Sequence, residues 1–286
     1  MTFDQLKQFK NLHTYDQSKV GFVGVEREGI IYHESLFGRP VPVADKVLAL
    51  LESKGVPLQV AGESCFGPGG FEWSPAIPGE IGYELSNCQL ESRTKPVKLE
   101  RLRFALHKTG RRVDDLLQWS QHRILYEEVG PESMPLDIYP DPTGRYQKIT
   151  KNMPRKILLA ACRVIGTHVH IGMRDHDMAL RVYNHVIRHL AELCEIGNGS
   201  FGERLAIYKK MAPDYEPRPY ASWEEYHQIA LVKGFAKDPR KCWTLIRISV
   251  HGTIEFRMFG ATDSINRIVG WTTRCHALCQ EAMGHS

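Results

Sequence analysis

The stretch GFVGVEREGIIYHE, residues 21–34, decides how the chain is read. Phe22, Val23 and Val25 open it as a buried strand, and Ile30 and Ile31 close it as one. Glu26, Arg27 and Glu28 interrupt the apolar run. Successive side chains of a strand point to opposite faces, so Glu26 and Glu28 share a face whose neighbours are Phe22 and Ile30. Two carboxylates about 7 Å apart repel by about 2–3 kcal/mol at an effective dielectric of about 20. Burying either one unpaired adds several kcal/mol more. Something cationic must therefore stand against this face, while Arg27 points to the other face and pairs elsewhere.

The same two-residue period divides the other strands. In CRVIGTHVHIGM, residues 162–173, Ile165, Val169, Ile171 and Met173 share one face, and Val164, Gly166, His168, His170 and Gly172 the other. In NCQLESR, Gln89, Glu91 and Arg93 oppose Cys88 and Leu90. WTLIRISV and TIEFRMF flank a His251-Gly252 turn and read as a hairpin. Its apolar set is Ile246, Ile248, Val250, Ile254, Phe256 and Met258; its polar set is Arg247, Ser249, Thr253, Glu255 and Arg257. A solvated sheet face carries mixed Thr, Lys, Ser and Gln. Here the polar faces carry Glu-x-Glu, Gln-x-Glu, His-x-His and Glu-x-Arg, with glycines leaving room beside the histidines. His-x-His or Glu-x-Arg alone has an ordinary structural explanation, whereas Glu26 and Glu28 point to function even alone; four such pairs in one chain point to a shared site.

Between the strands, helices are predicted near 43–54 (closed by Gly55), 97–122, 146–151, 176–196, 222–233 and 263–282. The basic residues of 97–122, Arg101, Arg103, Lys108, Arg111 and Arg112, form a solvated face over a buried stripe of Leu102, Leu106, Val113 and Leu117. Residues 62–82, rich in Gly and Pro, read as a long loop. Mixed helices and strands without strict β-α-β alternation, plus a hairpin, predict an α+β fold on a mainly antiparallel sheet. Residues 1–286 read as one domain, because no composition shift flanks the 62–82 loop.

The hydrophobic fraction of 42% and charged fraction of 24% suit a soluble enzyme or binding protein. A net charge of +4 fits anionic ligands and lacks the basic stripe of a nucleic-acid binder. Seven scattered cysteines without a Cys-x-x-Cys pair favour a reducing compartment over disulfides or structural zinc. With a polar N-terminus and no long apolar run, a cytoplasmic location and no membrane partner are expected. Carboxylates outnumbering histidines, with no cysteine among them, suit magnesium or manganese better than zinc. Such clusters bridge cations to nucleotide phosphates. No Gly-x-x-x-x-Gly-Lys-Ser/Thr loop is present to bind phosphate instead.

GVEREG, ELSNCQLESRT, IGTHVHIGM and TIEFRMFGAT, in this order, resemble the bacterial glutamate–cysteine ligases and related carboxylate–amine ligases, which are grouped with glutamine synthetase and the guanidino kinases. GRYQKI and MALRVYNHV add to the resemblance, which covers about residues 20–280 and includes Glu84 seven residues before Glu91. It implies a curved antiparallel sheet forming an active-site funnel, with helices packed outside, as in the catalytic domain of glutamine synthetase. It implies ATP- and Mg-dependent activation of a small-molecule carboxylate, typically the γ-carboxyl of glutamate, as an acyl phosphate that an amine such as cysteine attacks. By position, Glu26, Glu28, Glu84, Glu91, His168 and Glu255 resemble the ligands of two or three magnesium ions. His170 stands on the same face as a ligand or phosphate contact, and Arg257 resembles the arginine that stabilises the transferring phosphoryl group beside Glu255. Arg145 is a further candidate for phosphate or substrate.

Two other readings compete: a phosphotransferase of the guanidino kinase type, and a non-catalytic Mg-ATP-binding relative. Family members continue through a helical region after TIEFRMFGAT, GNGSFGERLAIYKKM (197–211) matches only loosely, and 62–82 matches nothing. Arg204 and Lys209 consequently receive no role. The acceptor amine is left open by these departures, and so is assembly into a homo-oligomer.

Overall fold

The computed structural model describes residues 3–33, 39–53, 79–118 and 121–284. Among the described residues seven strands are formed: β1 (Val23–His33), β2 (Gly79–Tyr83), β3 (Gln89–Thr94), β4 (His122–Leu125), β5 (Gly166–Gly172), β6 (Ile246–Ile248) and β7 (Thr253–Gly260). The α-helices are α1 (Phe3–Asn11), α2 (Ala44–Ser53), α3 (Leu102–Gln118), α4 (Arg145–Thr150), α5 (Arg155–Arg163), α6 (His176–Val186), α7 (Leu190–Ile196), α8 (Glu203–Met211), α9 (Trp223–Lys233) and α10 (Ile265–Met283). The strands join one sheet in the order β2-β3-β1-β5-β7-β6, with β4 also on β1. Every pairing is antiparallel among the described residues, so the fold is α+β as the alternation predicts.

The long β1 lies at the centre because both of its edges are used. Ile30 pairs with Gln89 on one side and Leu125 on the other, while residues 23–27 take β5 on the edge that β4 continues. The apolar face of the sheet supplies Val23, Val25, Val169, Ile171, Ile254, Phe256 and Met258. These pack against Ala179, Val182, Tyr183 and Val186 of α6 and Ile268, Trp271, Cys275, Leu278 and Cys279 of α10. Each large apolar side chain so buried stabilises the fold by about 1.5–3 kcal/mol. A second cluster sets Val113 and Leu117 of α3 and Val47 and Leu48 of α2 against Ile81 and Leu90. Arg27 is indeed on the face away from Glu26: it donates to the carbonyl of Thr262 at 3.1 Å and lies 3.9 Å over the Tyr126 ring.

Several boundaries differ from the sequence reading. The 97–122 helix stops at Gln118, after its apolar stripe ends at Leu117, and His122–Leu125 turns back as an edge strand on β1. The strand expected from 162 starts at Gly166, because Pro154 begins α5, which runs to Arg163. The 176–196 helix is broken by a tight turn at Ile187–His189. Helices α1, α5 and α8 are not among those expected from the sequence, and of these α8 lacks a clear apolar period. Of the expected 62–82 loop, Gly79–Gly82 belong to β2, while 62–78 and the helix stop Gly55 lie outside the described residues. No helix among the described residues is long and apolar enough to cross a membrane.

Candidate active site

Register, rather than loop geometry, assembles the polar face. Glu26 stands opposite Arg93 of β3 and His168 of β5, and Glu28 opposite Glu91. His170 stands opposite Glu255 of β7, which in turn faces Arg247 of β6. Glu84 enters from the short connection between β2 and β3. One cavity is lined by Glu26, Glu28, Glu84, Glu91, His168, His170, Glu255, Arg257 and Arg145. All of the expected site residues therefore share one space, with Arg145 reaching it from the first turn of α4.

The side chains interlock by charge. His168 bridges the two carboxylates of the opening motif, with Nδ1 3.4 Å from Glu26 and Nε2 3.5 Å from Glu28. His170 Nε2 is 3.2 Å from the other oxygen of Glu26, and its Nδ1 is 3.0 Å from the Thr253 hydroxyl. Arg93 donates to Glu91 in a buried ion pair. Glu255 is gripped by Arg247 through Nε (2.6 Å) and Nη2 (3.0 Å), and by Arg257 through Nη1 (2.5 Å). The backbone amide of Gly166 donates to Glu28 at 2.6 Å. A Cβ at Gly166 would sit 2.5 Å from Arg204 Nη2 and 3.2 Å from His168 Nε2, so any side chain there would have to displace the Arg204 guanidinium.

Burial and these pairings divide the carboxylates into two kinds. Burial pushes Glu28 up to about 7, and the neighbouring Glu91 adds to it. Glu84 is likewise raised to about 7, by burial and then by Glu28. Glu91 is raised by burial over the pull of Arg93. Burial opposes ionisation of Glu26 too, but His170 and His168 hold it well below the usual carboxylate range. Arg247 and Arg257 do the same for Glu255 against its burial. Burial lowers His168 to about 4, with Arg257 contributing, whereas Glu26 and Glu255 outweigh burial at His170 and raise it.

The donor chemistry fits hard divalent cations. Three groups have ligand atoms within 4.8 Å of one another: Glu26, Glu91 and His168; Glu26, His170 and Glu255; and Glu28, Glu84 and Glu91. Together they use the six expected ligands plus His170, and they share Glu26 and Glu91. A divalent ion placed among them would favour the ionised forms of Glu28 and Glu84, which burial first and mutual repulsion second oppose. On the arginine side, the buried Nε of Arg257 makes no hydrogen bond within the protein, which suits an anionic ligand.

Some participants carried no role in the sequence reading. Arg247 belongs to the polar set of the hairpin, but alternation alone does not say that it grips both oxygens of Glu255. Arg204 of α8 also lines the cavity and donates to the carbonyls of Ile165 (2.7 Å), Met258 (3.0 Å) and Arg257 (3.3 Å). His251, read only as a turn residue, also lines the cavity, and burial pushes it down to about 4. Its turn needs Gly252 at φ +68°, where a Cβ would strike the Thr14 carbonyl.

Comparison with known proteins follows the same lines. No family model matches the sequence. A curated protein of Rhodopirellula baltica, "Putative glutamate–cysteine ligase 2", is 25% identical over 221 residues, covering 71% of this chain and 58% of that one. Its namesake from Gloeobacter violaceus is 28% identical over 130 residues, covering 41% and 35%. The chain spans roughly a third to three fifths of the length of these two proteins. In fold, it is similar to a bifunctional glutathione synthetase from Pasteurella multocida, with a TM-score of 0.50 at 12% identity, over 99% of this chain and 42% of that one.

Proposed function

We propose that this chain is an ATP- and Mg-dependent carboxylate–amine ligase that activates the γ-carboxyl of glutamate as an acyl phosphate and joins it to an amine such as cysteine. The observation that carries the reading is the convergence in one cavity of Glu26, Glu28, Glu84, Glu91, His168, His170 and Glu255 with Arg257 beside them. The sequence kinship with ligases supports the same reaction class.

Magnesium held among these carboxylates would neutralise the charge of the nucleotide phosphates. The chain's own residues do the rest by position. Arg257, fixed by Glu255 and lying 5.7 Å from the Trp243 ring, offers a rigid positive charge where negative charge grows on the transferring phosphoryl group. Arg247 holds Glu255 in place through two hydrogen bonds and is itself tied to the carbonyls of Arg240 and Cys242. Arg145, which also lines the cavity, would meet the substrate carboxylate or a phosphate. The attacking amine must arrive neutral. No protein nucleophile is required, because the carboxylate substrate itself attacks the γ-phosphorus and the amine then displaces phosphate.

The test is ADP release with magnesium, ATP and a panel of carboxylates and amines. Release of phosphate and ligated product only when both a carboxylate and an amine are present supports ligation. ADP formed with a guanidino compound alone replaces it by a phosphotransferase. Calorimetric Mg-ATP binding without ADP from any pair replaces it by a non-catalytic binder.

A further inference from the structure

On the far side of the sheet, three side chains that the proposed ligase chemistry does not use come together on its helical layer. His185, at the end of α6, and His189, in the turn before α7, are four residues apart, with ring centroids 5.5 Å apart. Glu281 of α10 approaches them from across the helix pair, its carboxylate 3.2 Å from His185 Nε2. One ligand atom from each lies within 4.8 Å of the other two. All three stay accessible, with side chains 20%, 30% and 51% exposed.

We propose that His185, His189 and Glu281 form a transition-metal site that takes one zinc-class divalent ion and clips α6 and α7 to α10. Two imidazoles and one carboxylate make a borderline-soft donor set, which selects zinc, cobalt or nickel over magnesium. Donor atoms around such an ion stand about 3.3–3.6 Å apart for ligand bonds of about 2.0–2.2 Å, so small rotamer changes close the triangle. Surrounding residues already orient it. His189 Nδ1 lies 3.4 Å from Glu192, which Arg274 grips at 2.5 and 2.9 Å. A carboxylate on a ligating histidine's ring is the usual outer support of such a site.

Arg274, 3.9 Å from Glu281, competes with the ion for that carboxylate, and a second neighbour opposes the ion at His185 and makes the inference specific. Arg188 Nη2 donates to His185 Nδ1 at 2.6 Å, which requires the ring proton to sit on Nε2, facing Glu281. When an ion replaces that proton at Nε2, Nδ1 takes the proton and Arg188 must swing away. Arg188 therefore weakens the site, and its removal strengthens it.

The experiment is a zinc titration of the chelator-stripped protein in excess magnesium, followed by calorimetry and by cobalt absorption. The wild type and a cavity variant, Glu28→Gln with Glu91→Gln, should both bind an equivalent of zinc that His185→Ala with His189→Ala lacks. Glu281→Gln, an exposed change that leaves the helices intact, should weaken that equivalent at least about fivefold. Arg188→Ala should tighten it several-fold. Equal zinc uptake by the double histidine variant and the wild type, or weaker binding in Arg188→Ala, overturns the proposal. Because the cavity variant is titrated separately, either result is distinguishable from failure of the ligase reading.

Discussion

Replacing Glu28 by Gln should make the metal-free protein more stable while destroying its function. The carboxyl of Glu28 is raised from 4.5 to about 7 in the folded chain, by burial first and Glu91 second. A carboxyl whose folded value is raised favours the fold below about pH 4.5, and that advantage disappears as pH rises through about 7. At about 1.4 kcal/mol for each tenfold change, ionised Glu28 costs the fold about 3 kcal/mol at pH 8.5 and under about 1 kcal/mol at pH 5. The Gln side chain keeps an acceptor for the Gly166 amide, now 2.6 Å from Glu28, and carries no charge. Urea denaturation in a chelator at several pH values should thus show the variant gaining on the wild type from pH 5 to 8.5. Added magnesium should close most of that gap: at a hundred times its dissociation constant it stabilises the wild type by about 2.7 kcal/mol and stabilises the variant less. A stability gap that does not change with pH, or equal magnesium stabilisation of both proteins, would refute the reasoning.

Further consequences concern catalysis and packing. Glu26→Gln and Glu255→Gln should each abolish ADP release while circular dichroism stays native; full activity in both would remove the proposed ligand cluster. Arg257→Lys should lose at least about a hundredfold in turnover, because an ammonium does not reproduce a planar fork, and wild-type rates there would exclude Arg257 from the mechanism. Arg247→Met should destabilise the fold by about 3 kcal/mol, by leaving the buried Glu255 with only Arg257 as its arginine partner, and a denaturation midpoint within error of wild type would contradict this. Phe256→Ala, beneath the site and fully buried, should cost about 3–5 kcal/mol in urea denaturation.

Much of the site could be read from the sequence because strands obey a period of two. Once Glu26 and Glu28 were assigned a common face, the same rule put Glu91, His168, His170, Glu255 and Arg257 on polar faces, and antiparallel pairing laid those faces side by side. What periodicity does not supply is register. Nothing local to Glu26 says that it meets both His168 and Arg93, or that His168 spans to Glu28. Helix boundaries failed where the apolar period faded: α8 has Arg204, Ile207 and Tyr208 buried and shows no clean stripe. The strand before His168 was drawn too long because Cys162, buried on α5, resembles the strand residues that follow it.

Arg204 also bears on how the protein could be re-engineered. Its guanidinium ties carbonyls at the ends of β5 and β7. The segment that carries it, 197–211, is the one that least follows the resemblance and borders the cavity through Arg204, Tyr208 and Met211. One side chain therefore does two things: its guanidinium keeps the site strands aligned and forms part of the cavity wall, while its neighbours Tyr208 and Met211 hold no such strand carbonyls. A chimera that imports a foreign 197–211 to alter substrate choice should keep its arginine at 204; one that omits it exchanges specificity for a loosened frame.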